Sequence, residues 1–457
     1  VQSLQGKLVR LSLARRAALV AVGAGSFHLA FWPGGALAML VYLFCAAELT
    51  RADTGKAAFR SGLILGLLVF APKLTFFYTI FGALAAALWL VLAFWHGLFV
   101  VLGRWVRMRF SPMAAVVLLA ALWTGIEYFR SELYYLKSSW FAPGYFFGPL
   151  LKGVGVYGMG FLLMLAAALV SLRGKNRFLA WAVPGLAIAI YVIWQSVTWA
   201  EVRGQRPVRV AGVQMEFPVE LEVPAKLDAL IAMAPETELI VLSEYTFDGP
   251  PTQKVREWCR KNRKYLVVGG RDPIEGTNYY NTAFVVGTNG EVVFKQAKSV
   301  PIQFFADGKP AAEQKVWDSP WGKIGICICY DLSYRRVVDG LVRQGAKALI
   351  VPTMDVIDWG AKQHELHARV APVRAAEYGI PIFRVASSGI SQLVDARGTV
   401  LESAPCPGEG AMIFGSLYLN GRAAVPWDAM VAPVCVGVSG IVLVCALGSG
   451  LFGRRRR

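Results

Sequence analysis

The chain has 457 residues, of which 56% are hydrophobic, and a formal net charge of +17. Ordinary globular domains are about 45–50% apolar, so the composition favours a membrane class over a soluble one. The positive charge does not point to nucleic acid, because most of it falls in short loops between apolar runs and in the closing Arg454–Arg457 stretch rather than on one domain.

The apolar excess is uneven. Residues 17–199 are densely apolar, 206–421 have ordinary soluble composition, and 428–452 are apolar again. A hydrocarbon core takes ~20 apolar residues per helix. On that measure seven spans precede the soluble segment, at 15–31, 34–49, 58–72, 80–102, 112–130, 153–171 and 178–197, and an eighth covers 428–450. The short aromatic stretch from Lys73 to Phe81 reads as a re-entrant or interfacial turn. No small-residue cleavage site follows 17–31, so no cleavable leader is expected.

Charge in the loops orients the spans. Cations cluster at Lys7, Arg10, Arg15 and Arg16, at Arg51, Lys56 and Arg60, at Arg104, Arg107 and Arg109, at Arg173, Lys175 and Arg177, and at the end. The alternate loops carry few. This bias places both termini in the cytoplasm and 206–421 on the outer side, which in a Gram-negative inner membrane is the periplasm. The expected organisation is a transmembrane bundle at 1–205, an α/β domain at 206–421, and a last span with a basic tail at 422–457. Glu127 and Arg130, three apart near the outer end of one span, are expected to pair and face the bundle.

The middle segment alternates strand and helix patterns. Strands are expected at 208–213, 239–242, 265–269, 283–286, 324–329 and 348–351. Helices fall between them at 225–234, 253–261 and 335–344, with a helix at 363–378 kinked by Pro372. Such alternation implies an α/β layered domain. The seven cysteines are scattered. Cys327, mid-strand, and Cys329, at the strand end, are not expected to form a disulfide. His364 and His367 lack a third ligand of clear spacing, so no metal is expected and the pair reads as a solvated helix face.

Acyl transfer through a thiol needs a nucleophile, a base and a cation facing the oxyanion. Glu244 follows the strand at 239–242, Lys298 follows the strand after Gly290, and Cys329 closes Gly325-Ile-Cys-Ile-Cys-Tyr-Asp331. All three fall at or beyond strand C-termini, where α/β folds place their sites. Lys295 is the alternative lysine.

The strand ending in Ile328-Cys329-Tyr330-Asp331 resembles the nucleophile strand of the nitrilase superfamily of carbon–nitrogen hydrolases. The match extends to a membrane branch, the apolipoprotein N-acyltransferases. Val208–Pro218 resembles that family's opening strand, and 372–398 its Arg-Ala-x-Glu helix with the following Gly-Ile-Ser turn. Trp123-Thr-Gly-Ile-Glu127-Tyr-Phe-Arg130 and Trp140-Phe-Ala-Pro-Gly-Tyr145 resemble its membrane helix and aromatic loop. Departures are Ser243 where the family has Pro, Asp331 where it has Glu, and 299–305 in place of its usual run after the lysine.

The resemblance implies a helical bundle plus a nitrilase-like αββα sandwich. It implies Glu244 as base, Lys298 as oxyanion stabiliser and Cys329 as nucleophile, with Tyr330 and Asp331 in support and Asp307 replacing an absent family glutamate. Arg130 and Trp140 are candidates for holding lipid. The implied reaction passes an acyl group from a phospholipid, phosphatidylethanolamine being the expected donor, to the N-terminus of a diacylglyceryl lipoprotein, with no cofactor and no nucleic acid, in a monomer. A membrane-tethered amidase acting on a small amide is the alternative, and a non-catalytic lipoprotein-binding protein a third reading.

Overall fold

The computed structural model describes residues 11–172, 206–419 and 423–449. The chain divides into a helical unit, which includes the N-terminal region and Trp427–Arg457, and an α/β unit, Ala200–Pro426. The span expected at 178–197 lies outside the described residues.

Among the described residues, four helices of the first unit are long and apolar enough to cross a membrane: Gly55–Lys73, Leu84–Arg109, Pro112–Leu133 and Asp428–Gly448. They make the chain a membrane protein. The expected span at 34–49 is helical from Gly35 to Leu49, a one-turn 3-10 helix at Gly35–Leu37 leading into a helix at Ala38–Leu49. Pro33 and Gly34, the latter at φ 76°, precede this element. The twelve residues of its α-helical part rise about 18 Å, short of a ~30 Å hydrocarbon core. Val156–Val170 is similarly short, Leu13–Leu29 matches the first expected span, and the aromatic turn contains a small helix, Phe76–Phe81.

Local chemistry sets these helix ends. Thr54 and Ser111 cap Gly55–Lys73 and Pro112–Tyr128, their hydroxyls accepting from the N–H of Ala57 and Ala114, and Pro112 occupies a position that needs no donor. Asp428 Oδ2 accepts from the N–H groups of Tyr157 and Gly158 at 2.9 and 3.2 Å, so the last helix caps Val156–Val170. Close helix contact needs missing side chains: a β carbon at Gly66 would lie 2.7 Å from Ala93 Cα.

The α/β unit has two six-stranded sheets. The first runs β12-β1-β2-β3-β4-β5 and the second β11-β10-β9-β8-β7-β6. Strands β1 (Val208–Val213), β2 (Leu239–Val241) and β3 (Tyr265–Pro273) are parallel, followed by antiparallel β4 (Tyr279–Val286) and β5 (Val292–Ala297). In the second sheet β7 (Gly322–Ile326), β8 (Ala348–Thr353) and β9 (Ile382–Ala386) are parallel, flanked by antiparallel β6 (Val316–Ser319) and the pair β10 (Gln392–Val394) and β11 (Val400–Ser403). β12 (Met412–Leu417) returns to pair with β1.

One core lies between the sheets, built from Val210, Val241, Val267 and Val285 on one side and Ile324, Ile326, Ile350 and Phe383 on the other. A second core packs helices Val223–Met233 and Gln253–Asn262 onto the outer face of the first sheet through Leu227, Leu230, Val255 and Trp258. Strands covered on both faces are apolar at nearly every position, which is why their runs were legible. The arrangement is the nitrilase-like αββα sandwich.

Three local expectations are corrected. The strand expected to run to Cys329 ends at Ile326, and a 3-10 turn, Cys329–Ser333, begins at the cysteine. The helix at 363–378 is two helices, Ala361–Ala368 and Val370–Tyr378, meeting at Arg369. Pro372 has no N–H to give Ala368, and its ring clashes with that carbonyl in a continuous helix. His364 and His367 are not on a solvated face: they are 1% and 3% exposed and engage buried polar groups.

Candidate active site

Each of the three candidate side chains leaves a strand end of the sandwich. Glu244 follows β2, Lys298 follows β5, and Cys329 follows β7. The structure brings the carboxylate and the lysine into contact, with Lys298 Nζ 2.8 Å from Glu244 Oε1. Asp307 Oδ2 lies on the other side of the ammonium at 2.7 Å. Lys298 is fully buried, and Glu244 and Cys329 are 2% and 1% exposed. Lys295 is elsewhere: its side chain is 58% exposed and pairs with Asp272.

Backbone geometry aims these groups. Cys329 sits at φ 51° and Tyr245 at φ 54°, left-handed conformations that non-glycine residues adopt at a cost of about 1–3 kcal/mol. The segment carrying Glu244 runs close against β3. A β carbon on Gly269 would lie 2.6 Å from Glu244 Cα and 2.7 Å from Tyr245 N, so only glycine permits that approach. Ser243, where the family pattern has proline, donates its hydroxyl to Met215 O at 2.7 Å and anchors the same turn.

Electrostatics assigns a resting state. Burial, followed by the Glu244 charge, pushes the Cys329 thiol well above its ordinary value, while Lys298 opposes the shift. The thiol therefore rests protonated, its S–H donating to Met354 O at 3.6 Å. Burial acts to lower Lys298, but Asp307 and Glu244 overcome it and hold the ammonium well above the lysine range. Burial would raise Asp307, yet Lys298 and the Ile302 N–H keep it below its usual value. The cluster is thus a permanent cation between two carboxylates, beside a thiol that ionises only when its proton is taken.

The supporting residues divide. Asp331 takes the N–H groups of Ser299 at 3.0 Å and Val300 at 2.7 Å, tying the loop after Lys298 to the turn that carries Cys329. Burial pushes it up to about 6, against the pull of Lys298 and these donors. Tyr330 is partly buried and packs edge-on against Tyr334 at 4.9 Å. In the helical unit, Arg130 pairs with Glu127, donates to Ser138 O and lies 5.4 Å from the Phe70 ring centre. Trp140 is 9% exposed, tilted against Phe76.

Three participants went unread in the sequence. Asn281 Nδ2 donates to Glu244 Oε1 at 2.5 Å and to Asp307 Oδ1 at 2.8 Å. Its complete burial in β4 is a property of the fold that the residues around it do not signal. Tyr245 donates its hydroxyl to Asp307 Oδ1 at 2.8 Å. The Met354 N–H donates to Glu244 Oε2 at 2.8 Å, and as a backbone group it leaves no trace in residue type. Among the described residues no group of three His, Cys, Asp or Glu is placed to hold a metal ion.

The chain matches two family models, the apolipoprotein N-acyltransferase N-terminal domain over residues 17–169 and carbon-nitrogen hydrolase over residues 209–420. An apolipoprotein N-acyltransferase of Nitrosomonas europaea is 26% identical across 83% of this chain and 85% of its own length. One from Geobacter metallireducens is 24% identical across 90% of each chain. The solved carbon-nitrogen hydrolase of Helicobacter pylori G27 is 16% identical, covering 47% of this chain and 90% of that one with a TM-score of 0.42. Between them the two models match most of the chain, one the helical region and the other the α/β region, and the chain is similar to apolipoprotein N-acyltransferases over most of its length and of theirs.

Proposed function

We propose that the chain moves a fatty acyl group from a phospholipid to the α-amino group of the N-terminal diacylglyceryl-cysteine of a lipoprotein, through a thioester on Cys329. The observation that carries this reading is the buried Glu244–Lys298–Cys329 cluster in a chain whose helical region is that of the N-acyltransferases. The same helical match distinguishes it from a membrane-tethered amidase.

The steps balance on this chain's own groups. Glu244 takes the Cys329 proton as sulfur attacks the ester carbonyl, and the oxyanion forms facing the Lys298 ammonium. Collapse breaks the ester C–O bond, and the lysophospholipid oxygen leaves with the proton from Glu244. The lipoprotein amine then attacks the thioester carbonyl, Glu244 accepts the amine proton, and the returning thiol receives it. A fixed cation and a base held by Asn281 and the Met354 N–H need no rearrangement during either half. Phosphatidylethanolamine is the proposed donor, and the α/β domain is proposed to lie on the periplasmic side of a bacterial inner membrane.

Purified protein incubated with phospholipid bearing a labelled acyl chain tests the reading. Label on Cys329 that passes to a diacylglyceryl-cysteine peptide supports it. Label released only as free fatty acid, with none on the peptide, rejects transfer in favour of hydrolysis. A reporter fused near Arg206 should read periplasmic, and a cytoplasmic signal there rejects the orientation.

A further inference from the structure

Behind the candidate site lies a second buried polar cluster that the proposed reaction does not use. Asp355 is fully buried two residues beyond the end of β8. Its Oδ1 accepts from His367 Nδ1 at 2.7 Å and from Gln363 Nε2 at 3.1 Å, and its Oδ2 accepts from Arg384 Nη2 at 2.5 Å. Its backbone is clamped as well: the Asp355 N–H donates to Ser387 Oγ and the Ser387 hydroxyl donates back to Asp355 O, each at 3.0 Å. The partners come from helix Ala361–Ala368, from β9 and from the turn after β9. Gly389 closes over the carboxylate, since a β carbon there would lie 2.6 Å from Asp355 Cβ.

The charges in this cluster cancel. Arg384 faces the carboxylate directly, and burial holds the His367 imidazole below its ordinary value, so it donates as a neutral ring. A compensated, immobile aspartate suits a structural post better than an acid or base. What it holds is the preceding residue. Met354 gives its N–H to Glu244 Oε2 at 2.8 Å and its carbonyl accepts from Cys329 Sγ at 3.6 Å, so the backbone of one residue touches both the base and the nucleophile.

We propose that Asp355 is a positioning residue for the candidate site: His367 and Arg384 fix its carboxylate so that the Met354 backbone keeps Glu244 and Cys329 in register. The inference builds on the proposed function for what the site does, but its geometry can be read without a lipid. Alkylation of Cys329 by iodoacetamide, followed by peptide mass spectrometry, reports how readily the thiol gives up its proton.

Asp355→Ala strands the Arg384 guanidinium, so His367 carries the test. His367→Ala removes one donor to Oδ1, whereas His367→Asn places an amide N–H where the imidazole N–H was. The alkylation rate of Cys329 should fall in His367→Ala by up to about 100-fold, the scale of a 1 Å misplacement of reacting groups. His367→Asn should recover most of the rate. In acyl loading, the half-saturating phospholipid concentration should stay at the wild-type value while the maximal rate falls. An unchanged alkylation rate in His367→Ala overturns the proposal. So does a folded His367→Asn variant as slow as His367→Ala, or a loss confined to donor affinity. If wild-type protein forms no acyl adduct but the alkylation pattern is as expected, the acyltransfer reading falls and the positioning role stands.

Discussion

Replacing Lys298 with methionine keeps the stem of the side chain and removes its charged end. In the native site Nζ lies 2.8 Å from Glu244 and 2.7 Å from Asp307, with no solvent exposure. Two buried carboxylates then face each other with Asn281 alone between them. Breaking one partner out of a buried ion pair costs about 3–5 kcal/mol. Removing an oxyanion donor costs about 100- to 1000-fold in rate. The two losses are separable. Lys298→Met with Asp307→Asn removes one of the stranded charges, so it should regain part of the unfolding midpoint in detergent and none of the acyl-loading rate on Cys329. Lys295→Met is the control: its side chain is 58% exposed on Asp272, and such surface pairs contribute about 0–1 kcal/mol. Near-normal loading in Lys298→Met, or loading restored by Asp307→Asn, refutes the role of the buried cation.

Cys329→Ser should abolish acyl loading while Cys327→Ala retains it, read by mass spectrometry of the two thiols' shared peptide; loading that survives in Cys329→Ser places the nucleophile elsewhere. Gly269→Ala should cost about 1–3 kcal/mol from overpacking against Glu244 and Tyr245 and should lower loading more than it lowers stability; a fully active variant would mean the Glu244 turn moves freely. Burial would raise Asp307 and Asp355, but Lys298 holds the first and His367 and Arg384 hold the second below their usual values. The stability they contribute is therefore complete above the unfolded aspartate value near pH ~4 and is lost as pH falls through their folded values. An unfolding midpoint that stays flat from pH 7 to pH 3 would contradict these buried pairs.

What could be read from residues alone follows from periodicity and burial. Strands covered on both faces, such as Val208–Val213 and Ala348–Thr353, are continuous apolar runs, and long membrane helices announce themselves by composition. Glu244 and Cys329 stand out as candidates because each lies just beyond a buried apolar strand, whereas Lys298 follows the largely exposed β5 and is marked only by its place after that strand. The illegible parts are those that depend on where distant segments meet. Nothing local marks Asn281 as a ligand of two carboxylates, or the Met354 backbone as the contact shared by base and thiol. His364 and His367 read as solvated because their spacing suits a helix face, but that face turns inward onto Asp355, Val356 and Cys406. The end of β7 was misplaced because Cys327 and Ile328 are as apolar as the strand before them, while the left-handed turn at Cys329 is a backbone property.

The most direct test is mass spectrometry of the purified protein after exposure to phospholipid carrying a labelled acyl chain. The expected result is one acyl mass on the peptide containing Cys329, absent in Glu244→Gln and discharged when a diacylglyceryl-cysteine peptide is added, with the label recovered on that peptide's amine. No adduct in the wild-type protein, or an adduct that forms equally well in Glu244→Gln, would contradict acyl transfer through a base-activated Cys329.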